Sequence, residues 1–220
     1  MSNSKTDVLI VGAGGMGREV WDYLEHKRRV DAHFAATCRP KGFLDDDPHA
    51  LDGYDYPGGI IGSIADYEPA DHQLLVCAIG SPAIKAKVCP VLKERGARFL
   101  TLAHPTAMVG HNAAVGEGVV LGPYSLVAPD AKVGDFVFLN CYASCGHDAS
   151  IGDYSTLSPY SGITGFAELG ERVFMGSHAT VVPGRRVGAG SNIGAASAVV
   201  THLPADSRVL GVPAKPFMRG

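Results

Sequence analysis

One tetrapeptide in this sequence, Cys145-Gly146-His147-Asp148, combines residue types that can move a proton. An imidazole titrates near about 6.5, so a solvent-facing histidine is largely neutral at pH 7 and can take a proton from an amine or a hydroxyl. Asp148, next in the chain, or a backbone carbonyl can fix the tautomer of that ring. A second chemical feature lies far upstream. Gly12, Gly14 and Gly17 satisfy G-x-G-x-x-G, with Gly15 and Met16 between them, and the backbone amides of such a turn at a helix start favour phosphate or pyrophosphate. The same turn would suit NAD, but repeats follow it and no hydride-transfer domain does. A metal centre has less support. The zinc hydratases built on repeats of this kind need several histidines converging on one ion, and His111, His147 and His178 offer no adjacent pair.

The glycine turn needs a strand before it and a helix after it, and the sequence supplies both. Residues 7–11 (DVLIV) form a short apolar run, and beyond the glycines Met16, Val20 and Leu24 recur at helical spacing, with Lys27, Arg28 and Arg29 at the favourable end of the helix dipole. Residues 74–79 (LLVCAI) repeat the theme. Gly80 and the N-cap candidate Ser81 precede Pro82, and the spacing predicts a helix that buries Ile84, Val88 and Leu92, ends in Lys93 and Arg95, stops at Gly96 and leads to a strand over 99–102. Strands alternating with helices imply a small Rossmann-like parallel sheet over residues 1–104.

His147 lies in a different regime. From Val109 onward an aliphatic or similarly apolar residue recurs every six positions: 109, 115, 121, 127, 133, 139, 145, 151, 157, 163, 169, 175, 181, 187, 193 and 199 are all apolar. Against a background of 46% hydrophobic residues, sixteen such hits arise by chance about four times in a million. The fifth position of each hexad is Ala, Ser or Val except at Arg185 and Leu203. Hexapeptide repetition predicts a parallel β-helix over residues 105–220, whose short strands hide their apolar side chains only when the next coil stacks on them. With three hexads per coil, residues 18 apart stack. One column then holds Tyr124, Tyr142, Tyr160 and His178, which reads as a packing ladder, and another holds His111, Pro129, His147 and Gly165. In this register Cys145 points inward while His147 and Asp148 stand outward or at a corner.

Composition narrows the partners. The 220 residues carry 19 Lys and Arg against 22 Asp and Glu, so neither disorder nor a nucleic-acid footprint is expected. No apolar run reaches membrane-spanning length, the N-terminus lacks a signal-peptide layout, and the five cysteines, an odd number without a C-x-x-C pair, fit reduced thiols; a cytoplasmic protein with no membrane or nucleic-acid partner is expected. Between 109 and 200 the only Lys or Arg residues are Lys132, Arg172, Arg185 and Arg186, so the prism faces suit burial against copies of the chain.

The hexads, the CGHD cluster, GAGGMGRE at 12–19, GFLDDD at 42–47 and GVPAKP at 211–216 together resemble bacterial sugar acetyltransferases of the sialic-acid O-acetyltransferase type, which include the nucleotide-amino-sugar N-acetyltransferases. The resemblance covers nearly the whole chain. It implies a Rossmann-like domain followed by a left-handed β-helix, a homotrimer, acetyl-CoA in the groove between adjacent prisms, and a sugar nucleotide on the N-terminal domain. It assigns His147 as general base and Asp148 as its orienting partner, with direct acetyl transfer, oxyanion stabilisation by backbone N–H groups and no metal. Thr156, Gly165, Ser177 and Ala195 fall on coenzyme-side positions, Thr156 where the family carries a second histidine. Gly14, Gly15, Met16, Gly17, Asp45, Asp46, Gly80 and Asn140 fall on the sugar-nucleotide side; Met16 replaces a histidine, and Ser81 and Lys85 replace the commoner residues after Gly80. The implied activity is N-acetylation of a nucleotide-linked 4-amino-deoxy sugar for surface glycans. O-acetylation of a sugar such as sialic acid, or a non-catalytic β-helix scaffold, are the alternatives.

Overall fold

The computed structural model describes residues 5–217. Its N-terminal part is a four-stranded parallel sheet in the order β3-β2-β1-β4, made of β1 (Thr6–Val11), β2 (Cys38–Leu44), β3 (Ile60–Gly62) and β4 (Gln73–Cys77). The continuous apolar run of β1 is buried along Val8–Val11, as a central strand covered on both faces requires. Helix α1 (Gly15–Val30) follows the glycine turn and buries Val20, Trp21, Tyr23 and Leu24, with Trp21 stacked on Phe43 at 5.4 Å between centroids. A short helix α2 (Ala32–Thr37), capped by Asp31 accepting from the Phe34 N–H, leads into β2. Neither α2 nor β2 carries an apolar period long enough to announce itself.

Helix α3 (Pro82–Glu94) begins as expected, with Ser81 as N-cap and Pro82 in the first turn, and of its predicted face Leu92 is buried and Val88 half-buried, but Ile84 is not. Ile84 is 51% exposed, whereas Pro82, Lys85, Cys89 and Leu92 are buried. Lys85 lies inside the interface with the repeats, where Ile84 was expected. The run over 99–102 also differs from a sheet strand. Phe99 makes one parallel bridge to Leu75, and Leu102–Ala103 already pairs with Val120–Leu121 as the first rung of the repeats.

The repeats wind into a three-sided left-handed prism. The first face stacks Leu102–Ala103, Val120–Leu121, Phe138–Leu139, Thr156–Leu157, Phe174–Met175, Asn192–Ile193 and Arg208–Leu210; the second runs from Met108–Val109 to Ala198–Val199; the third runs from Ala114–Val115 to Arg186–Val187. Registers such as Phe138↔Thr156 and Cys145↔Ile163 keep the 18-residue step. The hexad positions from Leu121 to Val199 form one core with the small fifth-position residues. Each coil turns at the third and fourth positions of its hexads, and the fourth takes a left-handed backbone. Tyr142, Asp148, Tyr160 and His178 all have φ between 58° and 61°, an arrangement that no propensity scale assigns to aromatic residues. The tyrosine ladder forms as expected along the edge between the first and second faces, with ring separations of 5.0, 4.9 and 4.8 Å from Tyr124 to His178.

The N-terminal domain docks on the first face. Leu102, Val120 and Phe138 join one core with Val8, Ile10, Val20 and Trp21, while Phe99 and Phe136 join another with Leu9, Val11 and Leu92. Lys85 crosses the junction, 1% exposed, and its Nζ donates to the carbonyls of Phe136 at 2.9 Å and Ser155 at 3.0 Å.

Candidate active site

His147 and Asp148 occupy the turn between the second and third faces, and both are exposed. The αL conformation of Asp148 folds its side chain back onto the ring, so that Nδ1 of His147 lies 2.9 Å from Oδ2 of Asp148. With the Nδ1 proton donated to this carboxylate, Nε2 carries the free lone pair. The ring is seated from below by Gly165, one coil on, where a Cβ would lie 2.6 Å from both Cε1 and Nε2, and Phe166 meets it edge-on at 5.2 Å. Gly165 therefore has a role the sequence did not reveal: its missing side chain makes room for the imidazole. Cys145 is fully buried in the prism core, and burial pushes its thiol up to about 12, which leaves it inert.

The other coenzyme-side positions separate. Ser177 and Ala195 stack on the edge that bears the tyrosine ladder, with the Ala196 N–H donating to the Ser177 carbonyl at 2.8 Å, and both reach solvent. Gly165 lies on the His147 edge instead. Thr156 differs from expectation. It is 1% exposed on the first face, and its Oγ1 has no hydrogen-bond partner among the described residues, so a coenzyme cannot touch it in this chain. The position is closed because the first face is the one the N-terminal domain covers.

At the other end, the glycine turn leaves backbone amides open at the start of α1. Gly12 has φ +99° and donates to the Leu44 carbonyl, and a Cβ at Gly17 would collide with the Gly12 carbonyl, so these two glycines serve the turn itself. Gly14, the N-cap, and Gly15 are exposed, and a Cβ at Gly14 would meet nothing within 4 Å, which leaves open space above the first amides of α1. Asp45 holds the turn from the side: Oδ2 accepts from the Ala13 N–H at 2.7 Å and Oδ1 from the Asp47 N–H at 3.0 Å. Asp46 ties down the neighbouring loop through the Ala65 N–H at 2.9 Å. These two acids thus shape the rim with oxygens already engaged by backbone. Met16 covers Gly80, its Sδ 3.4 Å from where a Cβ would stand. Arg18, which sequence reasoning passed over, lays its guanidinium 3.6 Å over the exposed ring of Tyr54.

Asn140 sits where the two domains meet, 6% exposed. Its Nδ2 donates to Oε2 of Glu19 at 3.0 Å, and its Oδ1 accepts from Tyr23 at 3.3 Å and from the Cys141 N–H at 2.6 Å. Glu19 and Tyr23 are further residues the sequence did not single out. Their spacing, one and two turns past the glycines on the helix side that meets the prism, is the only signal that pointed to them. Burial, then the Glu19 charge, drives the Tyr23 phenol well above its ordinary range, so it remains a donor. Among the described residues no group of three or more metal-ligating side chains comes together.

The arrangement combines an oriented imidazole on a solvent-facing prism edge with an open glycine turn at a helix start on an α/β domain. That is also the layout of solved acetyltransferases of similar fold. Residues 7–92 match the model of the PglD N-terminal domain. Over nearly its whole length the chain is similar in fold to solved nucleotide-amino-sugar N-acetyltransferases. Similar solved structures include the acetyltransferase domain of PglB from Neisseria gonorrhoeae, 26% identical with a TM-score of 0.83, covering 97% of this chain and 100% of that one. PerB from Caulobacter crescentus, solved with CoA and GDP-perosamine, is 29% identical with a TM-score of 0.82 and covers 96% and 97%. WeeI from Acinetobacter baumannii is 25% identical at a TM-score of 0.82, covering 96% and 99%. No curated protein sequence matches the chain.

Proposed function

We propose that the protein transfers the acetyl group of acetyl-CoA to the amino group of a nucleotide-linked 4-amino-deoxy sugar, with His147 as general base. The observation that carries this reading is the 2.9 Å contact between His147 Nδ1 and Asp148, which presents a basic Nε2 on an open edge. The sugar nitrogen attacks the thioester carbonyl as Nε2 takes its proton. The tetrahedral adduct, its oxyanion held by backbone N–H groups, then expels the CoA thiolate to leave an amide. Gly14, Gly15 and Gly80 surround the space for the diphosphate, with Met16 beside it. Ser177 and Ala195 offer the small-residue edge that a pantetheine arm can follow.

The site is proposed to form between subunits of a homotrimer. The N-terminal domain covers the first face of the prism, and His147 stands on the edge opposite that face, so the base and the glycine turn of one chain point apart. The second face, between the His147 edge and the tyrosine edge, presents Met108, Leu126, Ser144, Gly162, Thr180 and Ala198 outward and carries no charge on its strands. A head-to-tail contact across that face closes into a ring and brings the His147 edge of one subunit to the neighbour's tyrosine edge, beside its Asn140. The GDP-perosamine and CoA bound by the Caulobacter protein support the substrate class. The test is an acetyl-CoA assay on UDP-, GDP- and dTDP-linked 4-amino sugars. Turnover of at least one is expected, and turnover by none overturns the reading.

A further inference from the structure

Glu19 is an exposed carboxylate with an unusual setting. Of the other acids of α1, Glu25 pairs with Arg28 at 2.7 Å and Asp22 stands without an ion pair among the described residues. Glu19 has no cation within ion-pair distance among the described residues, and the neighbouring Arg18 is turned away onto Tyr54. Its Oε2 accepts from Asn140 Nδ2 at 3.0 Å and lies 3.4 Å from the Tyr23 hydroxyl, whose one proton is shared with Asn140 Oδ1, while Oε1 takes no hydrogen bond from any described residue. A long side chain held across a domain junction, with one oxygen engaged and the other free, has given up rotamer freedom that a solvated glutamate keeps. The carboxylate lies one helical turn beyond the glycine turn and against Asn140, beside the tyrosine edge to which the head-to-tail trimer proposed above would bring a neighbour's His147.

We propose that Glu19 recognises the acceptor's amino group as a cation, and so makes the site choose an amino sugar over its hydroxyl counterpart. The inference rests on the reading given under Proposed function. A sugar amine enters as ammonium, and the free oxygen of Glu19 receives one of its N–H bonds in a charge-assisted contact that a neutral hydroxyl cannot match. Glu19 is a binding group here. Before attack the bound ammonium releases one proton to solvent, which frees the nitrogen's lone pair; as the C–N bond forms, a second N–H proton passes to Nε2 of His147. Asn140 and Tyr23 hold the carboxylate in place, and the raised phenol of Tyr23 keeps that support present throughout the working pH range.

The experiment compares wild type, Glu19→Gln and Glu19→Asp in steady-state assays with acetyl-CoA and GDP-perosamine, or whichever nucleotide 4-amino sugar the wild type turns over best, and with the matching 4-hydroxy sugar nucleotide as competitor. Glutamine keeps an acceptor for Asn140 and Tyr23, so the variant folds with unchanged Tm while losing the charge. Expected is a rise in KM for the amino sugar of about ten- to a hundredfold, with kcat and the KM for acetyl-CoA nearly unchanged. The Ki of the hydroxy analogue stays the same, and aspartate recovers part of the loss. An amino-sugar KM unchanged in Glu19→Gln, or an equal weakening of amine and hydroxyl ligands, overturns the assignment of Glu19 while leaving the acetyltransferase reading intact. A wild type inactive on every amino sugar overturns both.

Discussion

The imidazole of His147 is held by three neighbours with separable contributions: Asp148 sets the tautomer, Gly165 gives the ring its seat, and Phe166 borders it. His147→Ala is expected to lower kcat on the amino sugar by about a hundredfold or more with little change in KM, since a general base acts in the transition state; stopped assays with the purified variant check it. Gly165→Ala tests the seat. Its methyl would press on the ring at 2.6 Å, so kcat should fall by about tenfold or more while thermal stability moves little, a combination that circular-dichroism melting and kinetics together can read. The CGHD cluster was legible in the sequence because a solvent-facing histidine followed by a carboxylate is recognisable as a local pattern. The seat was not, because Gly165 meets His147 only across one full coil. Asn140 was legible as a polar position, but its partners Glu19 and Tyr23 lie more than a hundred residues away and became visible only in three dimensions.

At the scale of elements, α3 shows where pattern reading runs out. Apolar residues at 84, 88 and 92 define a helical face, yet the structure buries Lys85 in place of Ile84, its ammonium donating to the prism carbonyls of Phe136 and Ser155. Burial lowers the Lys85 pKa from 10.5 to about 8. A folded-state value depressed below the unfolded one means that between those limits the unfolded chain binds a proton the folded chain does not, so stability rises with pH across that interval and gains nothing from this group below it. In urea melts at a series of pH values, Lys85→Met should remove that rise, which has a limiting slope of about 1.4 kcal/mol per pH unit. At neutral pH the same substitution loses two hydrogen bonds and relieves a desolvated cation, effects of opposite sign. The hexads, by contrast, were readable throughout, since an inward residue at every sixth position needs no knowledge of distant partners. Their left-handed corners at Tyr142 or His178 were not readable, because tertiary stacking overrides the ordinary reluctance of such residues to adopt positive φ.

For the whole molecule, the separation of the proposed base and the glycine turn onto opposite sides of one chain gives a test that no single-subunit site can pass. A Cβ at Gly14 points into open space, so Gly14→Trp is expected to fill the region above α1, and His147→Ala removes the proposed base on the far edge. Each variant alone should be nearly inactive. Trimers reassembled from equal amounts of both should recover about a quarter of wild-type activity, because a site joining two neighbouring subunits is intact whenever both halves come from undamaged ones. A site within one chain would recover nothing. Light scattering on the same samples checks the trimer itself.

The bottom of the prism carries one more consequence. The last step along the first face is shortened to 16 residues, from Asn192 to Arg208, and the chain then reverses so that Lys215–Pro216 pairs antiparallel with Val209 and Leu210. A stacked parallel column ending in bare amides and carbonyls would be a template for another molecule to extend, and repetition would build a filament. The reversed strand, with a proline that lacks the donor a further rung would require, denies that growth and keeps the column finite.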